Sequence, residues 1–197
     1  PIPQEGIDLA VNAMNAGVMY RYQPKSKEAS ITANFEHNFA KYMQVKHAVG
    51  TNSCGSAMFI ALNIVGVQPG DIVLTNAFTF HAVPSVIQHA RATPVLVESN
   101  REWAMNPEDL DKKATETGAK VLLMSYMRGH VPDMDAIMQV VEKHDLVLIE
   151  DCAHAYETLW NGKRLGTFGE IGCFSTQSSK GLSAGEGGIF ITNNDEH

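Results

Sequence analysis

Short apolar runs at residues 72–74, 93–97, 119–125, 146–149, 171–175 and 188–192 punctuate the chain, and His47-Ala48-Val49 adds a further short one. Each is brief, rich in β-branched or aliphatic residues and bounded by turn residues, the signature of a strand buried on both faces. The stretches between them carry apolar residues at helical spacing. Ile7, Leu9, Ala10, Val11 and Met14 predict a short helix, and Asn34 is placed to cap a second one through Phe35, Phe39, Ala40, Tyr42 and Met43. A third is predicted over 58–65, closed by Gly66, and a fourth through Val83, Val86 and Ile87. Asn106-Pro107 opens a fifth, with proline at the first helical position, and Pro132-Asp133-Met134-Asp135 a sixth. Residues 67–71 form a turn, and Trp160-Asn161-Gly162-Lys163 a tight hairpin. Strands alternating with helices predict an α/β fold with a mostly parallel sheet sandwiched by helices.

Ligands of such sheets sit beyond the carboxyl ends of the strands. Gly55, Phe80, Tyr126 and Asp151 all fall just past predicted strand ends. Residues 50–57 form a turn of small residues leading into a helix, and a helix N-terminus offers free N–H groups and a favourable dipole to an anion. Gly55 lets a phosphate approach closely and Ser56 adds a hydroxyl. Asp151 ends the 146–149 run, and Lys180 follows the 171–175 run in a loop of small polar residues, ahead of Gly185-Glu186-Gly187-Gly188. A lysine amine attacks carbonyls when its surroundings favour the neutral form. A buried carboxylate holds a ring nitrogen protonated. Together these are the groups that pyridoxal 5′-phosphate requires.

Composition narrows the partners. The formal net charge of -7 opposes binding to nucleic acid or an acidic membrane surface. Asn63 interrupts the most apolar stretch, 58–67, before it reaches the length of a membrane span. Residues 1–5 lack the pattern of a secretory signal. Cys54, Cys152 and Cys173 are an odd number with no Cys-x-x-Cys pair, and read as reduced, buried thiols of a cytoplasmic protein. A chain of 197 residues holds one sizeable core.

The ordered motifs from about Gly6 onward resemble those of the DegT/DnrJ/EryC1/StrS sugar aminotransferases, within fold-type I of the pyridoxal-phosphate enzymes. The resemblance implies that residues 1–197 are an aspartate-aminotransferase-like large domain, the N-terminal cofactor-binding portion of a longer protein whose small C-terminal domain is missing. It implies pyridoxal 5′-phosphate as cofactor, with Lys180 as the Schiff-base lysine and Asp151 as partner of the pyridine nitrogen. Gly55, Ser56 and Ser175 would hold the phosphate, and Phe80 would stack on the ring. His154 stands where the family often has a glutamine touching the phenolic oxygen. The activity implied is amino transfer from glutamate or glutamine to a keto sugar, nucleotide-linked or a sugar acid, in a homodimer with shared active sites. Tyr20, Arg21 and Arg128 are candidate substrate residues. Tyr126, Met127 and Arg128 depart from the family's usual histidine, aliphatic and tyrosine before Gly129, and Cys54 replaces a serine or similar small residue. No metal is expected. Rival readings are a dehydratase of the same group, in which histidine replaces the lysine; a catalytically silent binding homologue; and a metal hydrolase using Asp151, His154 and His130, whose spacing matches no standard ligand set.

Overall fold

The computed structural model describes residues 2–17 and 30–197, so Tyr20 and Arg21 lie outside the described residues. Its centre is a seven-stranded sheet of β1 (His47–Thr51), β2 (Ile72–Asn76), β3 (Thr93–Val97), β4 (Val121–Ser125), β5 (Val147–Asp151), β8 (Ile171–Ser175) and β9 (Gly188–Thr192), in the order β1-β9-β8-β5-β4-β2-β3. Strand β9 runs antiparallel to β1 and β8, while β3, β2, β4, β5 and β8 pair in parallel. This is the mostly parallel, mixed sheet that the strand–helix alternation predicts. The hairpin of β6 (Leu159–Trp160) and β7 (Lys163–Arg164) forms as expected, with Asn161 and Gly162 both at positive φ, as its two-residue turn demands.

Helices cover both faces. One layer contains α3 (Cys54–Ile64) and α4 (Ala82–His89), whose Met58, Leu62 and Ile87 bury against Leu123 and Ile149 of the sheet. The other contains α2 (Ile31–Met43), α5 (Pro107–Thr117) and α6 (Met134–His144), whose Phe39, Leu110 and Ile137 bury against Leu122 and Leu148. Successive strand residues point to opposite faces, so the run Leu148-Ile149-Glu150-Asp151 divides its side chains between the layers. The first helix, α1 (Gln4–Ala16), buries none of its residues.

Two helix starts differ from the sequence expectation. Asn34 is not a cap: Ser30 is, accepting from the Ala33 N–H at 3.2 Å, and Asn34 lies one turn inside α2. The β-branched pair Ile31-Thr32 hides the first turn from a propensity reading. Helix α3 starts at Cys54, four residues before the predicted 58, because the Ser53 hydroxyl accepts from the Ser56 N–H at 3.0 Å. Gly55 and Ser56 are therefore in the first turn of the helix, not in a turn before it.

Candidate active site

The alternation along β5 gives its two acids different roles. Glu150 enters the α2/α5/α6 layer, fully buried. It accepts from the N–H groups of Gly166, Phe168 and Gly169 at 2.7, 2.8 and 2.7 Å, and from the Tyr126 hydroxyl at 2.6 Å. Burial pushes its pKa up, and the four donors oppose that shift. It is a structural acid that fastens the segment before β8. Tyr126 is correspondingly a core side chain, 0% exposed. The sequence expectation that it faces the site fails because its ring turns into the core to reach Glu150.

Asp151 points the other way, into a cavity of about 730 Å³ at the carboxyl end of the parallel strands. Its residue is 4% exposed. Oδ2 accepts from the Ser125 hydroxyl at 2.7 Å, and Oδ1 accepts from the Ala153 N–H at 3.0 Å and from the Cys54 thiol at 3.6 Å. Ser125 lies opposite Asp151 in the β4–β5 register, and both its backbone groups are held by the Asn76 side chain, at 2.7 and 3.0 Å. Burial, followed by the Asp151 charge, raises the Cys54 thiol pKa, so that sulfur remains a protonated donor.

Lys180 reaches the same cavity from the loop between β8 and β9. Backbone bonds close that loop into a frame: Thr176 N–H to Gly187 at 3.0 Å, Ser178 N–H to Gly185 at 2.8 Å and Lys180 N–H to Gln177 at 2.9 Å. The Lys180 Nζ lies 2.8 Å from His154 Nε2. Burial and then the lysine charge lower the His154 pKa, which favours a neutral imidazole whose Nε2 accepts from the ammonium.

The remaining predicted residues divide. Gly55, Phe80, Ser175 and Arg128 line the cavity with Asp151, His154 and Lys180. Phe80 is 50% exposed, its ring 4.2 Å from that of His81. Ser175 Oγ accepts from the Gln177 N–H at 3.3 Å, which leaves its own proton to donate. Arg128 is exposed and sits at φ +52. Ser56 is displaced: it lines an adjoining hollow with Phe59, Val86 and His89, its Oγ accepting from the Ser53 hydroxyl at 3.1 Å. In its place at the cavity wall stands Ser53, with the Cys54 and Gly55 N–H groups, which find no protein acceptor among the described residues.

Gly55 shows what the wall is shaped for. A Cβ there would meet only Ser53 Oγ, at 3.6 Å. Packing therefore tolerates a side chain, and the glycine keeps space in the cavity. Gly188 is the opposite case, since its Cβ would lie 2.3 Å from the Ser53 carbonyl carbon. That close approach clamps the start of β9 to the start of α3. Sequence reasoning missed Ser53, Ser125 and Asn76; for the last two, the signal lies in strand register. Among the described residues no group of three or more His, Cys, Asp or Glu side chains could hold a metal ion, and no helix is long and apolar enough to cross a membrane.

An amine, a buried carboxylate, an open helix N-terminus and an exposed flat ring thus converge on one cavity. They fit a phosphate-bearing heteroaromatic aldehyde. Comparison with known proteins agrees with that chemistry. The DegT/DnrJ/EryC1/StrS aminotransferase family matches residues 20–197. The chain is 34% identical over 169 residues to the GDP-perosamine synthase of Escherichia coli O157:H7, across 85% of this chain and 46% of that protein. The fold is similar to the aminotransferase from Psychrobacter cryohalolentis, with a TM-score of 0.90 and 28% identity over 100% of this chain and 49% of that one. It is also similar to S. venezuelae DesV, solved in complex with a ketimine intermediate, with a TM-score of 0.86 and 31% identity over 98% and 51% of the two chains. The chain spans less than half the length of the first curated relatives it matches, 43%, 42% and 46%.

Proposed function

The chain belongs to the DegT/DnrJ/EryC1/StrS aminotransferase family, and on that premise we propose that it is the cofactor-binding portion of a pyridoxal-phosphate-dependent sugar aminotransferase. The donor is glutamate or glutamine, and the acceptor a keto sugar. The observation that carries this reading is the convergence of Lys180 and the buried Asp151 on one cavity at the carboxyl end of the sheet.

The cofactor, when bound, supplies an electron sink for the carbon that gains or loses the amino group. Lys180 holds it through its amine. Asp151, its two oxygens held by the Ser125 hydroxyl and the Ala153 N–H, would stabilise positive charge on the ring nitrogen. The Cys54 and Gly55 N–H groups, with the Ser175 hydroxyl, receive the phosphate. Phe80, which lines the cavity, would cover a ring face and keep water off it. With its amine free, Lys180 would carry the proton to and from the substrate carbon. His154, neutral and in contact with Nζ, fixes where that amine sits.

Arg128 is the cation that fits an anionic acceptor, a nucleotide-linked sugar or a sugar acid. A screen in which neutral keto-inositols outcompete every anionic acceptor rejects that assignment. The active assembly is a homodimer. Support comes from the exposed Phe59 and Ile60 on α3, 38% and 37%, beside the hollow that adjoins the cavity; sedimentation as a monomer contradicts it. Lys180 in this cavity also separates the reading from the dehydratases of the group. In the holoenzyme, Lys180→Ala is expected to abolish both the visible absorption band and amino transfer. Retention of full activity overturns the proposal.

A further inference from the structure

A second cavity, of about 430 Å³, opens at the carboxyl ends of β2 and β3, outside the site described above. Its walls include Phe78 and Trp103, whose ring centroids are 5.2 Å apart, together with Glu98, Ser99 and Arg101. Trp103 is 58% exposed and has φ +64, a left-handed conformation uncommon for a bulky residue. The loop around it enforces that conformation. Asn100 Oδ1 accepts from the N–H groups of Glu102 and Ala104 at 2.9 and 3.0 Å, and the Asn100 N–H donates to the Ala104 carbonyl at 2.8 Å. Ser99 and Met105 close the loop as an antiparallel bridge. Glycine or asparagine at position 103 would relieve the strain and remove exposed apolar surface. An indole held there at both costs is the kind of outlier from which a binding role is inferred. Neither Glu98 nor Arg101 has an ion-pair partner among the described residues. An aromatic platform edged by an uncommitted carboxylate, guanidinium and hydroxyl matches a ring that presents a flat face and hydroxyl groups at its rim.

From this we infer that the Trp103 cavity binds a second, hydroxyl-bearing ring of the acceptor, a pyranose or a nucleoside, while the keto ring is at Lys180. The inference rests on the aminotransferase reading. Phe78 is two residues from Phe80 of the first cavity and is 6.1 Å, ring to ring, from His130 beyond Arg128. From β5, which carries Asp151, to β3 is three strand spacings, about 14 Å at about 4.8 Å each. An acceptor of two linked ring systems spans that distance, whereas a single keto sugar does not.

The test is intrinsic fluorescence of the holoenzyme. Trp160, the other tryptophan, is half-buried with its indole N–H enclosed, and Trp160→Phe isolates the Trp103 signal. Titration with a disaccharide and with a nucleoside diphosphate hexose is expected to give saturable quenching with at least one. The disaccharide alone identifies a pyranose site, and the nucleotide alone a nucleoside site. Trp103→Ala should abolish the quenching and raise KM for the acceptor about tenfold, the scale of losing one stacked ring, with kcat, donor KM and the visible band unchanged. Glu98→Gln and Arg101→Ala, at exposed positions, should weaken the quenching without loss of stability. Absence of quenching by both ligands, or an unaltered acceptor KM in Trp103→Ala, overturns the inference. Loss of the visible band on Lys180→Ala would still hold in that event, which keeps the two proposals separable.

Discussion

At the scale of single residues, the decisive pair is His154 and Lys180. The imidazole has its pKa lowered, by burial and then by the lysine charge, so protonation occurs on the acid side of the ordinary histidine range. Above that range the ring is neutral and accepts from Nζ. Below it, two cations would stand 2.8 Å apart, an unfavourable contact of about 1.5 kcal/mol even at the dielectric of water. The visible band is therefore expected to show an acid limb on the acid side of the ordinary histidine range, and His154→Gln should be flat over that window. A pH titration of the visible band checks this, and an identical acid limb in the variant contradicts it. Asp151 and Lys180 were legible in the sequence because each follows an apolar run in a small-residue setting. Tyr126 was misplaced because its position past a strand end does not reveal that Glu150 draws its ring inward.

At the scale of elements, two glycines make opposite predictions: Gly55, which lines the cavity, and Gly188, which sits where β9 meets the start of α3. Gly188→Ala drives a Cβ into the Ser53 backbone at 2.3 Å. Overpacking of this kind costs about 1–3 kcal/mol, and the shift of α3 should weaken cofactor binding as well. Gly55→Ala meets only Ser53 Oγ at 3.6 Å, so it should leave the unfolding midpoint within about 0.5 kcal/mol of wild type, as for substitutions free of packing conflicts, and still weaken cofactor binding. Urea unfolding of the apoprotein and cofactor titration separate the two. Equal destabilisation by both would remove the argument that Gly55 serves a ligand. The strands, the hairpin and the helix order were readable from periodicity. The starts of α2 and α3 were not, because Ser30 and Ser53 act as caps through local hydrogen bonds while aromatic and apolar residues further along mark the helix more strongly.

At the scale of the molecule, the sheet brings five separate segments to one cavity. Segments after β1, β2, β4 and β5, and the loop between β8 and β9, supply Gly55, Phe80, Arg128, His154 and Lys180. Their order along the chain was visible in the motifs. Register was not, so the Ser125 hydroxyl on Asp151 and the Asn76 side chain behind it emerged only from strand pairing. The apolar residues of α1, Ile7, Leu9, Val11 and Met14, remain 43–60% exposed; their spacing showed the helix but not whether it packs. The account stands on a covalent link at one lysine, and borohydride reduction of the holoenzyme followed by peptide mapping reads that link directly. The result expected is a single reduced cofactor adduct on Lys180. An adduct on another lysine, or none in a protein that carries the visible band, would contradict the account.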